Sequence, residues 1–346
     1  MRQRVLVIGF FLLSLSVSGQ TGGKTVFNFL NLFPAPRVAA LGGFNVTTYD
    51  KDPTLAWQNP ALLNPEMHSR LSLNFMPFLG GVSQGMASYA STWNKVGYFH
   101  GGVQFVSYGD LTRRDIYGKE QGQFGASDIA IGGGVARDFD RFHFGTNLKL
   151  VNSNIAGYSS YGFGLDMGGT YLDTAKGFSV GAVVSNIGLQ VDPYAKQGER
   201  EKLPFDFRLG LTKKLAYLPL QVSLTGVELN HFGQLRYQDP DAPKTYDLAG
   251  NEIVPKKNTF DRYARHFIIG LDFFVAKNLM VRAGYNHRRR QELKITGSGG
   301  LVGFNFGLGV RVSKFSFDYA YSDFHETGGL HSFGLTTALN AWMPKK

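Results

Sequence analysis

The chain has no cysteine. That excludes disulfide staples and a lipoprotein anchor. No run of about 20 apolar residues follows the N-terminus, so no helix is long enough to cross a bilayer. The eight histidines are scattered without metal-ligand spacing, so no metal site is expected. No phosphate-cradling glycine motif follows a strand and opens a helix, and no cofactor is implied. Basic residues outnumber acidic ones, 36 to 26, but the excess is spread over turns and strand ends. Nucleic-acid binders concentrate charge in a patch within a recognisable module, so nucleic acid is not an expected partner. An anionic membrane lipid surface suits the charge better.

What the chain has in abundance is glycine and aromatics: 44 Gly, 29 Phe and 16 Tyr in 346 residues. Their arrangement is clearest near the end. Val302, Phe304, Phe306, Leu308 and Val310 alternate with Gly303, Asn305, Gly307, Gly309 and Arg311. Phe315, Phe317, Tyr319 and Tyr321 then alternate with Ser316, Asp318, Ala320 and Ser322. Side chains of a strand point to opposite faces with period two. Each strand therefore has one greasy face and one face of glycine and small polar residues. A soluble β-sandwich could bury the greasy face, but glycines weaken strands and rarely line a wetted one. A closed barrel in lipid fits better, with apolar residues outside and a small, polar lumen.

The expected fold is all-β: a 14-stranded transmembrane antiparallel β-barrel with an N-terminal hatch, or plug, containing a short helix. Residues 1–19 read as a signal peptide, with Arg2 and Arg4 before the apolar Val5–Leu15. Residues 20–68 do not alternate and read as a hatch in the lumen. A helix over Pro53–Leu63 is expected to break at Asn59-Pro60, a good N-cap and first helical residue. Residues 69–342 are the barrel and 343–346 a periplasmic tail. Within the barrel, Gly81–Thr92 alternates poorly. Connections alternate in length, the longer ones being Gly109–Ala126, Leu189–Leu203, His231–Arg262 and Arg288–Gly300. This parity places both termini at the periplasmic end of a Gram-negative outer-membrane barrel. Lys149, Asp166, Arg208, Asp272, Arg282, Arg311 and Asp318 fall on the lumen face. There they can pair with each other or with the hatch.

Val38-Ala39-Ala40-Leu41-Gly42-Gly43, then Asp50, then Asn59-Pro60-Ala61-Leu62-Leu63 precede the first strand. This resembles the opening signature of barrels related to the long-chain fatty-acid transporter FadL, which have 14 strands and a hatch. With Phe29-Leu30-Asn31-Leu32 ahead of it, the stretch resembles more closely PorQ and PorV of the type IX secretion system. Arg37, Gly42, Gly43, Asn59 and Pro60 are the hatch-motif residues. That resemblance implies a non-enzymatic scaffold in a surface attachment complex with PorZ-like, PorU-like sortase and PorV-like partners. Those proteins cleave cargo and join it to anionic lipopolysaccharide. The C-terminal Trp342-Met343-Pro344-Lys345-Lys346 departs from the closing aromatic residue of ordinary barrels. The competing expectation is a FadL-like transporter of small hydrophobic compounds, which requires an apolar pocket near the hatch and a lateral or luminal path. A general porin would need an open lumen, against the hatch.

Three sets of residues carry further expectations. Arg288, Arg289 and Arg290 form a basic cluster at a strand end, suited to lipopolysaccharide phosphate. Tyr237, Tyr246 and Leu248, in the proline-bearing connection His231–Arg262, are candidates for docking a surface protein. His287, His325 and His331, with Asp323 and Ser332, are the residues a rim hydrolase would use, though no spacing marks a triad.

Overall fold

The computed structural model describes residues 25–32, 34–93, 96–195, 198–235, 245–246, 252–253, 259–293, 300–325 and 328–342. Residues 1–19, read from the sequence as a signal peptide, and residues 343–346, read as a tail, lie outside these. Fourteen strands form one closed antiparallel barrel. In order they are β1 (Arg70–Pro77), β2 (Ser83–Trp93), β3 (Gly97–Arg114), β4 (Glu120–Phe139), β5 (Phe142–Ile155), β6 (Tyr158–Asp173) and β7 (Phe178–Asp192). Then come β8 (Asp206–Lys214), β9 (Leu220–Gly226), β12 (Phe267–Ala276), β13 (Leu279–Asn286), β14 (Phe304–Val312), β15 (Phe315–His325) and β16 (Gly328–Ala338). Between β9 and β12 a two-residue ladder, β10 (Thr245–Tyr246) with β11 (Glu252–Ile253), stands apart. The first strand pairs with both β2 and β16, Leu73 standing opposite Ala87 and Leu335, and this closes the wall.

The two faces divide as the period-two pattern requires. Phe75, Ile131, Leu150, Phe273, Phe306 and Phe333 are exposed on the outside. Ser72, Gln104, Asn147, Asp166, Arg208 and Arg282 are buried inside. This inversion rules out a soluble sandwich, whose aromatics would gather in a core, and it makes the outer surface a lipid-facing one. Aromatic pairs mark both ends of the apolar band. Trp93–Phe99 (4.6 Å between centroids) and Phe315–Trp342 (5.4 Å) lie at the short-turn end. Tyr285–Phe304 (4.8 Å) lies at the other, with Tyr319–Phe333 (5.6 Å) midway between.

Three connections differ from the sequence reading. Gly109–Ala126 is not a loop: β3 and β4 run on past the barrel wall as a hairpin, turning only at Asp115–Lys119. The Asp115 carboxylate accepts the Tyr117 and Lys119 N–H groups (both 2.9 Å), and Ile116 and Tyr117 stand 91% and 88% exposed at the tip. The long connections after β9 and β13 also carry short helices, α3 (Thr259–Ala264) and α4 (His287–Leu293). Only the hatch helix was expected from sequence. The hatch holds α1 (Pro36–Ala40) and α2 (Leu55–Gln58), the latter followed by a 3₁₀ turn at Pro60–Leu62. Asn59 is the break, its side chain accepting the Ala61 N–H at 3.0 Å.

Candidate functional site

Residues 25–69 occupy the lumen, and the glycines of the wall are where they fit. Glycine is the residue that lets a second backbone approach closely. A Cβ on Gly307 would stand 2.5 Å from the Ala40 methyl. One on Gly284 would stand 2.5 Å from the Ala40 carbonyl oxygen and the Gly42 nitrogen. One on Gly145 would meet the Pro60 carbonyl carbon at 2.5 Å, and one on Gly210 the Val46 side chain at 2.6 Å. The hatch thus packs directly against β5, β8, β13 and β14. Polar wall residues complete the fit. Asn147 donates to the Ala56 carbonyl (2.8 Å), Asn286 to the Gly42 carbonyl (3.0 Å), and Ser179 to the Thr47 carbonyl (2.7 Å).

The hatch-motif residues each have a role in this packing. Arg37, buried, donates to Asp50 and lies 3.9 Å from Asp272 of β12. Asn59 donates to the Val46 carbonyl and to Thr170 of β6 (2.7 and 3.0 Å). Pro60 lies over Gly145. Gly42 and Gly43 have φ of 101° and 104°, in the left-handed region that glycine adopts freely. A Cβ on Gly42 would meet the Ile268 side chain at 2.4 Å. Six of the seven inward charges read from the sequence are closely paired: Lys149 with Asp166 (2.6 Å), Arg208 with Asp206 (2.5 Å), and Arg282 with Asp272 and Asp318 (3.0 and 2.5 Å). Buried cations left without partners would be costly.

Above the hatch, towards the long loops, the lumen changes character. Met86, Val106, Ala130 and Val151, from β2 to β5, form an apolar patch over Trp57. Val26, Phe27, Phe29 and Leu30, the first residues of the hatch itself, pack against it and fill this apolar chamber, and Leu203 closes its side. Phe27 holds a left-handed backbone (φ 58°, ψ 39°), which costs about 1–3 kcal/mol for a side chain of this kind. At the rim Tyr108 donates to Asp128 (2.7 Å), which also accepts from Ser153, and Tyr194 donates to Ser153 (2.5 Å). The sequence reading of a small, polar lumen did not show this patch. Its residues are single apolar positions on four different strands, so no one strand advertises it.

Beside the chamber the wall is interrupted. β7 pairs with β8 only up to Ser185–Asp206. At that level β7 carries a bulge, with Asn186 at φ 58° and its N–H donated to Asp166 (2.8 Å). Beyond it the upper part of β7 meets only a strap. Leu189 and Lys202 form one isolated bridge, and Thr25 forms another with Lys202. From the strap, Leu203 points into the chamber while Phe205 is exposed on the outer surface. An apolar side chain and an aromatic one thus stand on the two sides of a break in the ladder.

The other expected residues fall elsewhere. Arg288, Arg289 and Arg290 lie on α4, not at a bare strand end, and their guanidinium groups turn to partners within the chain. Arg288 pairs with Glu228 and with Glu292 (2.8 Å). Arg289 donates to Asn305 (2.8 Å) and stacks on Phe324 (3.9 Å), and burial lowers its pKa to about 10. Arg290 donates to the carbonyls of Gly300 and Val302 (2.5 and 3.2 Å). Tyr237 and Leu248 lie outside the described residues, and Tyr246 is in β10. Asp323 faces Gly329 in the pairing of β15 with β16. His331 is exposed and bonded to Tyr319 (2.7 Å), whereas its neighbour Ser332 is buried on the opposite face. His287 bonds Asp261 (2.9 Å) and Tyr285 (3.0 Å). Among the described residues these groups assemble no triad, and no cluster of His, Asp and Glu could hold a metal ion.

No protein-family model matches the chain, and no curated protein does. Solved structures do. CymD, a monoaromatic hydrocarbon channel, is 13% identical, with 90% of this chain and 99% of that one covered at a TM-score of 0.52. The toluene transporter TbuX of Ralstonia pickettii is 14% identical, with coverage of 90% and 98% and a TM-score of 0.50. A FadL homologue of Pseudomonas aeruginosa is 13% identical over 88% and 98%, at 0.49. The likeness to CymD and TbuX is one of fold, extending over nearly the whole of both chains.

Proposed function

We infer that the chain is an outer-membrane channel for small hydrophobic compounds. They enter from the long-loop end, pass into the apolar chamber above the hatch, and leave sideways through the wall between β7 and β8. The observation that carries this reading is the position of the chamber: its Leu203 wall is also the inner face of the strap that closes the break. A lateral exit delivers an apolar molecule to lipid without crossing the packed hatch. Entry requires the hatch segment 26–30, which packs there, to give way. It includes the left-handed Phe27, and beside it Trp57 Nε1 and Gln104 Oε1 have no hydrogen-bond partner among the described residues. Each such buried group costs about 1–3 kcal/mol. The two solved structures with the same fold are a monoaromatic hydrocarbon channel and a toluene transporter, which names the first compounds to try. The type IX attachment reading rests on the hatch motif alone.

The test is uptake of labelled toluene into proteoliposomes. Val106→Asp puts a carboxylate into the chamber, where an unpaired charge is strongly disfavoured. Uptake is expected to fall by about tenfold or more, with the heat-modifiable mobility of a folded barrel retained, because the apolar transfer step is lost. Uptake equal to the unaltered protein in a folded variant would remove the chamber from the path.

A further inference from the structure

The short-turn end of the lumen holds a cavity of 270 Å³ between the hatch and strands β13–β16 and β1. Its volume is that of about nine waters at ~30 Å³ each, so it has room for a small solvated ligand. Six cationic side chains line it: Arg37, Lys51, Arg70, Arg282, Arg311 and Lys314. Three acidic ones face them, Asp50, Asp52 and Asp318. The acids are already engaged. Asp50 accepts from Arg37, and Asp318 from Arg282 at 2.5 Å. Asp52 accepts the Thr54 N–H at 3.0 Å. Lys51 turns to Glu66 (3.5 Å), and Lys314 to the Ala341 carbonyl (2.6 Å) and the Trp342 ring (4.3 Å).

Arg70 and Arg311 remain. Both occupy inward positions at the ends of their strands, on the lining of the same cavity. Arg70 gives its Nε to the Glu66 carbonyl (2.9 Å), and its two terminal nitrogens have no hydrogen bond among the described residues. Among the described residues the Arg311 guanidinium reaches only Asp50, at 3.5 Å, and that carboxylate already serves Arg37. Two guanidinium forks on one cavity, neither with a carboxylate of its own, are the geometry that takes an oxyanion in bidentate fashion.

We propose that this mouth is a binding site for a phosphate group, held between Arg70 and Arg311. The group comes either from free phosphate or from a phospholipid head at the near leaflet. The site is separate from the apolar chamber, with the hatch between them, so it stands or falls independently of hydrocarbon passage.

The experiment uses the full mature chain in a non-ionic detergent. Binding of inorganic phosphate and of dihexanoyl-phosphatidylglycerol is titrated by calorimetry in the unaltered protein, in R70Q, in R311Q and in the double variant. Heat-modifiable mobility establishes that each barrel is folded. Each single change is expected to weaken binding by about tenfold, the scale of a charge-assisted bidentate contact, and the double change to abolish it. Binding of phosphate itself assigns a soluble source, and binding of the lipid alone assigns the headgroup. Absence of binding by either probe, or binding unchanged in the folded double variant, overturns the proposal.

Discussion

At the scale of single residues, the fit between hatch and barrel rests on what glycine lacks. Gly284 faces the backbone of Ala40 to Gly42, which cannot move aside as a flexible side chain would. Gly284→Ala should therefore lower barrel stability by about 1–3 kcal/mol, the usual cost of overpacking a close contact. Gly125→Ala is the control, because nothing lies within 4 Å of its added methyl group. The readout is the midpoint temperature of the heat-modifiable gel shift. Equal midpoints for the two variants would mean that the hatch does not press on β13. The lumen glycines were visible in the sequence as the alternate positions of strands. Their purpose was not, because the partner of each lies up to 298 residues away, as Gly334 and Pro36 do.

At the scale of elements, the connections were less legible than the strands. A lipid-facing strand advertises itself by alternation, but the β3–β4 extension is wetted on both faces and has no such pattern to read. The break beside β7 did leave a trace. Its outward residues are even-numbered through Val180, Ala182 and Val184, then odd-numbered through Ile187, Leu189 and Val191. That slip of phase is the bulge at Ser185–Asn186. Another joint is pinned by His266, just before β12. Its Nδ1 donates to the Val227 carbonyl (2.9 Å), and its Nε2 accepts the Gly233 N–H (2.9 Å). This arrangement needs the neutral ring, and burial lowers the pKa. Protonation is thus easier in the unfolded chain. The joint is at full strength above the ordinary histidine value of about 6.5 and weakens as pH falls below it towards the lowered folded value. An NMR titration should place the His266 midpoint below that ordinary value, with the Gly233 amide losing protection as the ring gains its proton. A midpoint at or above it would contradict the assigned hydrogen bonds.

At the scale of the whole molecule, the barrel is a wall whose inside is completed by its own N-terminal segment. The class of fold was legible because lipid forces the apolar face outward, whereas the path for a ligand was not. That path depends on where four single apolar residues and one phase slip meet in space. Deleting residues 20–68 should leave a folded barrel with a polar, glycine-lined lumen open from end to end. In planar bilayers the deleted form is expected to show stepwise ion conductance that the intact chain lacks. Equal conductance in both would mean that the hatch does not close the lumen.

The absence of cysteine gives the most direct test of the lateral path. Leu189 and Lys202 are paired across the strap, and directly paired strand residues have Cα atoms about 4.5–5.5 Å apart, within disulfide reach. In the double variant L189C/K202C, labelled toluene uptake into proteoliposomes should stop on oxidation and return on reduction. Uptake that proceeds unchanged through the oxidised, cross-linked protein would contradict passage between β7 and β8.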